Sequence, residues 1–149
     1  MADKKTIKFE IATPERVVLK RQAYQVLVPT EEGEITVLPE HSPLISILKP
    51  GVIEAVLDDN STEVMSVSGG FVEVLKSKIV ILADSAERAE ELDEEAVEEA
   101  KKKAQESKDR AESEDHVEFT EVAVKLEREL ARARAVKRWR SLRGPRGNK

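Results

Sequence analysis

The chain contains no cysteine and only two histidines, His41 and His116. Without thiols there are no disulfides, thiolate zinc sites or cysteine nucleophiles, and two imidazoles cannot build a histidine-rich metal centre. Aromatic residues make up 3% of the chain, namely Phe9, Tyr24, Phe71, Phe119 and Trp139. That disfavours stacking platforms for bases or sugars and leaves any core to Val, Ile, Leu and Ala. No run approaches the ~18 consecutive apolar residues of a membrane span. The opening MADKKTIKFEIA has neither the apolar stretch of a secretory signal nor the Arg/Ser-rich pattern of a transit peptide, so a soluble, unprocessed chain is expected.

What is present is charge and aliphatic residues. The 149 residues are 37% charged and 40% apolar, and a chain of this length buries ~68–70% of its unfolded surface on folding. The net charge of −5 hides three unequal blocks. Residues 1–84 carry nine cations against thirteen acids, residues 85–127 seven against sixteen, and residues 128–149 nine against one. The blocks are therefore −4, −9 and +8, an acidic segment followed by a basic tail. Composition changes at Ala83–Ser85, from Gly, Pro, Val and Ile before it to Ala, Glu, Lys, Arg and Leu after it. Two domains are expected, 1–84 and 85–149.

Before that boundary, short runs of period two recur about every ten residues. Ile7, Phe9 and Ile11 alternate with Lys8 and Glu10, and Val17–Leu19, Tyr24–Val28, Ile35–Leu38, Leu44–Leu48, Val52–Leu57, Val64–Val67, Phe71–Leu75 and Ile79–Leu82 follow. Their separators are turn residues: Thr13-Pro14, Pro29 to Gly33, Lys49-Pro50-Gly51, Asp58-Asp59-Asn60, Ser68-Gly69-Gly70 and Lys76-Ser77-Lys78. Eight to ten strands without intervening helices cannot make a parallel α/β sheet, because each crossover needs a dozen or more residues. Two antiparallel sheets packed face to face are expected, with Gly69-Gly70 supplying the positive φ of a tight turn.

After Asp84 the period becomes 3.6, with Ala86, Ala89, Ala96, Val97, Ala100 and Ala104 on one face. Asp84 or Ser85 is placed to cap the helix start, with Glu87 in its first turn. The pattern lapses over Ser107–Asp115. Ser113 or Asp115 then caps a second helix, with His116 at its start and with Phe119, Val122 or Ala123, Leu126, Leu130, Ala133 and Val136 facing the first. Gly144-Pro145 ends it. The fold expected is mainly β plus α: an N-terminal antiparallel β-sandwich, then a C-terminal antiparallel two-helix hairpin. An alanine seam buries little area, so this hairpin docks weakly and can come apart.

Catalytic constellations are absent from the sequence. His41, in Leu38-Pro39-Glu40-His41-Ser42-Pro43-Leu44, has no partnered nucleophile or second ligand and reads as a loop histidine bonded to nearby backbone. Glu94-Glu95 and Glu98-Glu99, with Lys101–Lys103 one turn on, read as a solvated helix face with modest ion pairs. Neither an enzyme nor a metal protein is expected. Two binding roles fit composition alone. One is an adaptor using its β edge and helix pair; the other binds RNA or membrane surfaces through Arg128–Arg146, against which stands the single aromatic, Trp139, in that basic run.

Four motifs in order are more specific: Gly33-Glu34-Ile35-Thr36-Val37-Leu38-Pro39-Glu40-His41-Ser42-Pro43-Leu44, Lys49-Pro50-Gly51, Ser68-Gly69-Gly70-Phe71-Val72-Glu73-Val74, and Ile81-Leu82-Ala83-Asp84-Ser85-Ala86-Glu87-Arg88-Ala89. From about Phe9 to Trp139 the chain resembles the ε subunit of bacterial F-type ATP synthase, called δ in mitochondria. The resemblance implies a sandwich of about ten strands and a regulatory helical hairpin. It implies a non-catalytic rotor subunit of the central stalk, peripheral on the cytoplasmic face of the bacterial plasma membrane, that couples proton flow to ATP synthesis. Its implied partners are the γ subunit, the c ring, and the α and β subunits of the catalytic head. Glu34 and His41 are implied to lie on the loop end facing γ and the c ring. The hairpin is implied to permit turnover when folded down and to block ATP hydrolysis when extended. Arg128, Arg132, Arg134, Lys137 and Arg138 would then present charge along one broad side toward an acidic loop on β.

Some relatives hold regulatory ATP through Ile/Leu-Asp-x-x-Arg-Ala, with an acidic residue six before the Asp and further basic residues on both helices. Here Glu87, Leu92-Asp93, Arg128 and Arg132 match, but Lys103 replaces a second Arg and Ala96-Val97 stand where Arg-Ala is expected. A missing guanidinium costs ~1.5–3 kcal/mol, about ten- to a hundredfold in affinity. No resident cofactor is expected, and ATP binding should be weak or absent.

Overall fold

The computed structural model describes residues 4–113 and 119–144. Seven strands precede two helices: β1 (Ile7–Ala12), β2 (Val17–Thr30), β3 (Gly33–Val37), β4 (Leu44–Ile47), β5 (Gly51–Leu57), β6 (Thr62–Val74) and β7 (Lys78–Arg88), then a 3₁₀ turn (Ala89–Glu91), α1 (Glu94–Ser113) and α2 (Phe119–Leu142). The sheet runs β1-β7-β6-β5-β2-β3, with β4 on β6, and a β1–β2 pairing closes it on itself. All pairings are antiparallel except β1–β7, which is parallel, so the sheet is mixed where an antiparallel one was expected.

Seven strands stand where about ten were expected because three of them are long and change face midway. In β2 the inward residue moves from Ala23 to Val26 and Val28, at a register shift between Ala23 and Gln25. In β6 it moves from Met65 and Val67 to Val72 and Val74, and in β7 from Ile79, Ile81 and Ala83 to Ala86. A break in alternation resembles a strand end, although the backbone continues. Each long strand thereby serves both layers of the sandwich. The first layer is β3, the end of β2, β5, the start of β6 and the end of β7. The second is β4, the end of β6, β7, β1 and the start of β2. Phe9, Ile7, Ile11, Ile53, Met65, Ile79 and Ile81 fill the space between them and are fully buried.

Gly69 and Gly70 have the expected positive φ, +61° and +109°, but they lie inside β6 and do not form a turn. A Cβ on Gly70 would overlap the Leu82 carbonyl oxygen of the neighbouring strand. The glycine pair lets β6 bend against β7, and Ser68 Oγ and Ser85 Oγ, 2.5 Å apart, join the two strands at that bend.

The element change after Asp84 also falls later than expected. Ser85–Arg88 complete β7, so Ala86 belongs to the sandwich core, Ala89 to the 3₁₀ turn and Glu87 to the sheet. Asp93 caps α1, its Oδ1 accepting hydrogen bonds from the N–H groups of Glu95 (3.0 Å) and Ala96 (3.4 Å). Within α1, Val97 and Ala104 are buried while Ala96 is exposed. Ser113 is the last residue of α1; Asp115 and His116 lie outside the described residues.

α2 has two apolar faces where one was expected. Leu130, Ala133 and Val136 line the groove toward α1 and Leu126 is buried one turn before them, while Ala131, Ala135 and half-buried Trp139 follow one another at four-residue spacing on a different face. Ala135 and Trp139 join a cluster with Val52 of β5, Val64 of β6 and Ala89. The hairpin therefore lies on the first layer through α2, which packs on β5, β6 and the 3₁₀ turn as well as on α1. Phe119 remains exposed. Among the described residues no helix is long and apolar enough to cross a membrane.

Candidate functional site: two outer faces of the sandwich

The first layer's outer face carries α2. Strand register places Val52, Ser66 and Glu87 in one row across β5, β6 and β7, and Glu54 beside Val64 in the next. Both faces of β6 are buried here, Met65 and Val67 by the core and Val64 and Ser66 on the side that carries α2. At 100° per residue, Arg132 and Arg138 lie about 60° to either side of Ala135. Each meets one of the carboxylates flanking the apolar seat.

Arg138 is bidentate on Glu54: Nε donates to Oε2 and Nη2 to Oε1, both at 2.8 Å. Those bonds and the Glu54 charge raise the Arg138 pKa further against a small opposing effect of burial. Arg132 is more enclosed. Its Nη2 donates to Glu87 Oε2 at 3.2 Å and its Nη1 to Glu129 Oε2 at 2.9 Å. Nε sits 3.0 Å from Glu87 Oε1 but is not aligned for a hydrogen bond. Burial lowers the pKa of Arg132, but the bonds and charges of Glu129 and Glu87 outweigh it and the net shift is upward. Arg140 pairs with Glu94, which ties the two helices together.

The five cations expected along one broad side of α2 are instead distributed around it, as their spacing requires. Arg132 and Arg138 turn onto sandwich carboxylates, whereas Arg134 and Lys137 line a groove of about 690 Å³ between the helices, over Val97, Leu130 and Val136. Arg128 is exposed, one turn before Arg132, and makes no ion pair among the described residues. Of the residues matched to a nucleotide motif, Glu87 and Arg132 come together. Asp93 is occupied as a helix cap, and exposed Lys103 pairs with Glu99 at 3.2 Å.

Glu34 and His41 lie at opposite ends of β3. Glu34 follows Gly33 at its start, paired with Pro29, while His41 sits in the loop after its end. There His41 Nδ1 is 2.7 Å from the Ser42 carbonyl oxygen, and the Glu40 N–H donates to the carbonyl of Lys76 in the β6–β7 turn. Among the described residues no three His, Asp or Glu side chains could hold a metal.

Among the described residues nothing covers the second layer's outer face. Register aligns Ile47 of β4, Phe71 of β6, Leu82 of β7, Ala12 of β1 and Val17 of β2 in one row across five strands. Ile47, Phe71, Leu82 and Val17 are 47%, 57%, 56% and 55% exposed. A depression of about 310 Å³ opens beside Pro14, Phe71 and Leu82. Large apolar side chains aligned on a sheet face mark an interaction surface. Sequence reasoning missed this row and also Glu54. The signal for the row was the outward-pointing Phe71 and Leu82, and for Glu54 its apolar outward neighbours Val52 and Val56.

Residues 6–89 match the family described as "ATP synthase, Delta/Epsilon chain, beta-sandwich domain". The "ATP synthase epsilon chain" of Dichelobacter nodosus is 45% identical over 95 residues, 64% of this chain and 66% of that one. That of Desulforamulus reducens is 41% identical over 120 residues, 80% of this chain and 90% of that one. A solved structure of the Euglena gracilis mitochondrial ATP synthase, described as OSCP/F1/c-ring in rotational state 1, contains a chain with the same fold. Its TM-score is 0.74 at 23% identity, covering 85% of this chain and 78% of the other. The two-layer sandwich with its helical hairpin belongs to the delta/epsilon-chain family of ATP synthases.

Proposed function

We propose that the chain is a non-catalytic central-stalk subunit of a proton-translocating F-type ATP synthase, coupling rotation to ATP synthesis and restraining ATP hydrolysis through its hairpin. The observation that carries this reading is the apolar row Ile47, Phe71, Leu82, Ala12 and Val17, exposed among the described residues while the opposite face holds α2. A torque-transmitting subunit needs one face fixed to the stalk and, if it also regulates, a second element free to leave. The row supplies the first and the alanine-and-arginine seat of α2 supplies the second.

In this reading the row grips the γ subunit, and one end of the sandwich, with Glu34 or His41, rests on the c ring. The released hairpin reaches the α and β subunits of the catalytic head. The subunit stays peripheral to the bacterial plasma membrane on its cytoplasmic side. ATP acts at most as a weak regulatory ligand, since Asp93 is a helix cap and Lys103 lies in an ion pair with Glu99. Co-purification with γ tests the reading. The double substitution Phe71→Asp with Leu82→Asp should abolish γ capture while leaving the isolated fold intact; undiminished capture contradicts it.

A further inference from the structure

Among the described residues two ion pairs cross from α2 to the sandwich: Arg138 to Glu54 and Arg132 to Glu87. Arg140–Glu94 and Arg132–Glu129 lie within the hairpin and travel with it. The apolar part of the seat is modest, because Ala131 and Ala135 bury little area and half-buried Trp139 is its one large side chain from α2 among the described residues. Charge therefore weighs heavily in whether α2 stays down. The geometry is also exclusive. Glu54 occupies Nε and Nη2 of Arg138, the fork edge with which a guanidinium grips a carboxylate, and Glu87 and Glu129 surround Arg132. Docked, the helix presents Arg128, Arg134 and Lys137 to solvent; released, it adds the whole Arg138 guanidinium and the Nε/Nη2 edge of Arg132, whose Nη1 stays on Glu129.

We propose that Glu54 and Glu87 compete with an acidic surface of the catalytic head for the same two guanidiniums, so that these sandwich carboxylates set the threshold for hairpin release. This rests on the reading that the extended hairpin inhibits hydrolysis. It adds that the two ends of one ion pair have opposite regulatory effects. Removing the carboxylate frees the arginine for the partner and deepens inhibition. Removing the arginine releases the helix but also takes away what the partner would hold.

The experiment uses Glu54→Gln and Arg138→Gln in the full chain, alone and in the assembled complex, beside a chain ending at Glu91. In the isolated chain, both substitutions should speed hydrogen exchange over residues 131–139 about threefold to tenfold, the range of a bidentate, partly exposed pair. In the complex, Glu54→Gln should lower ATP hydrolysis by a similar factor, and Arg138→Gln should not lower it below the unmodified rate. Equal shifts of hydrolysis in the same direction, or an unchanged rate with Glu54→Gln, overturn the competition. If the chain ending at Glu91 leaves hydrolysis unchanged, the inhibitory reading itself fails and the competition with it. If that chain activates hydrolysis while the two point variants behave alike, only the competition fails. Glu87→Gln repeats the carboxylate arm at the second pair.

Discussion

Arg138 on α2 and Glu54 on β5 lie 84 positions apart in sequence and share two hydrogen bonds of 2.8 Å, one from each nitrogen on that edge of the guanidinium. Glu54 sits beside Val64 across the β5–β6 ladder, so the pair lies at the border of the apolar seat for α2. With Arg132 and Glu87 on the other flank, it makes docking of the hairpin partly electrostatic.

Salt should therefore loosen α2. The screening length falls from ~10 Å at 0.1 M to 3 Å at 1 M, and Arg138 is half exposed. Hydrogen exchange over residues 131–139 should accelerate across that range while β1, β5 and β7 keep their protection. Salt-independent protection of α2 would show that apolar contact alone holds it.

Ala135→Leu probes the apolar part. Ala135 has no exposed surface and packs with Val64 and Ala89; three extra carbons cost about 1–3 kcal/mol of strain when α2 docks. Exchange in α2 should rise by the corresponding factor with the sandwich core unaffected. A variant that loses sandwich protection as well would mean that the two parts unfold together.

Much of this architecture can be read from residues, and the parts that cannot share a cause. Inward residues such as Ile7, Phe9 and Ile11 announce themselves by alternation, as does the hairpin by its period of 3.6. Long strands that exchange faces at Gln25 or Gly69 interrupt that alternation without ending, which inflates a strand count made from pattern. Spacing alone puts the start of α1 at Asp84 or Ser85, because Ala86 and Ala89 extend the helical period backwards. In the fold, cross-strand pairing with β6 claims Ser85–Arg88, and Asp93 supplies the cap. The arginines of α2 were visible as a basic block. Their division between sandwich and solvent depends on which carboxylates the sheet register places opposite them, which one helix cannot show.

Gly70→Ala should destabilise the sandwich more than any change at the hairpin seat. Its φ of +109° is outside the range open to alanine, and the added Cβ meets the Leu82 carbonyl. The backbone strain alone is worth about 1–3 kcal/mol. A lower urea midpoint for the isolated chain checks this; an unchanged midpoint would mean that β6 need not bend there.

Calorimetric titration of the isolated chain with ATP should show weak binding or none. Asp93 already accepts two backbone N–H bonds, and Ala96-Val97 offer no guanidinium beside it. Micromolar binding would require Glu87, Arg128 and Arg132 to rearrange into a site this geometry does not form.

ATP hydrolysis by the assembled complex, with the full chain and with one ending at Glu91, tests the central claim most directly. That cut keeps β7 and the 3₁₀ turn and removes both helices. A detachable regulatory hairpin on a stalk-binding sandwich predicts retained assembly and proton coupling with faster hydrolysis. Hydrolysis unchanged by the cut, or assembly lost with the helices, would contradict it.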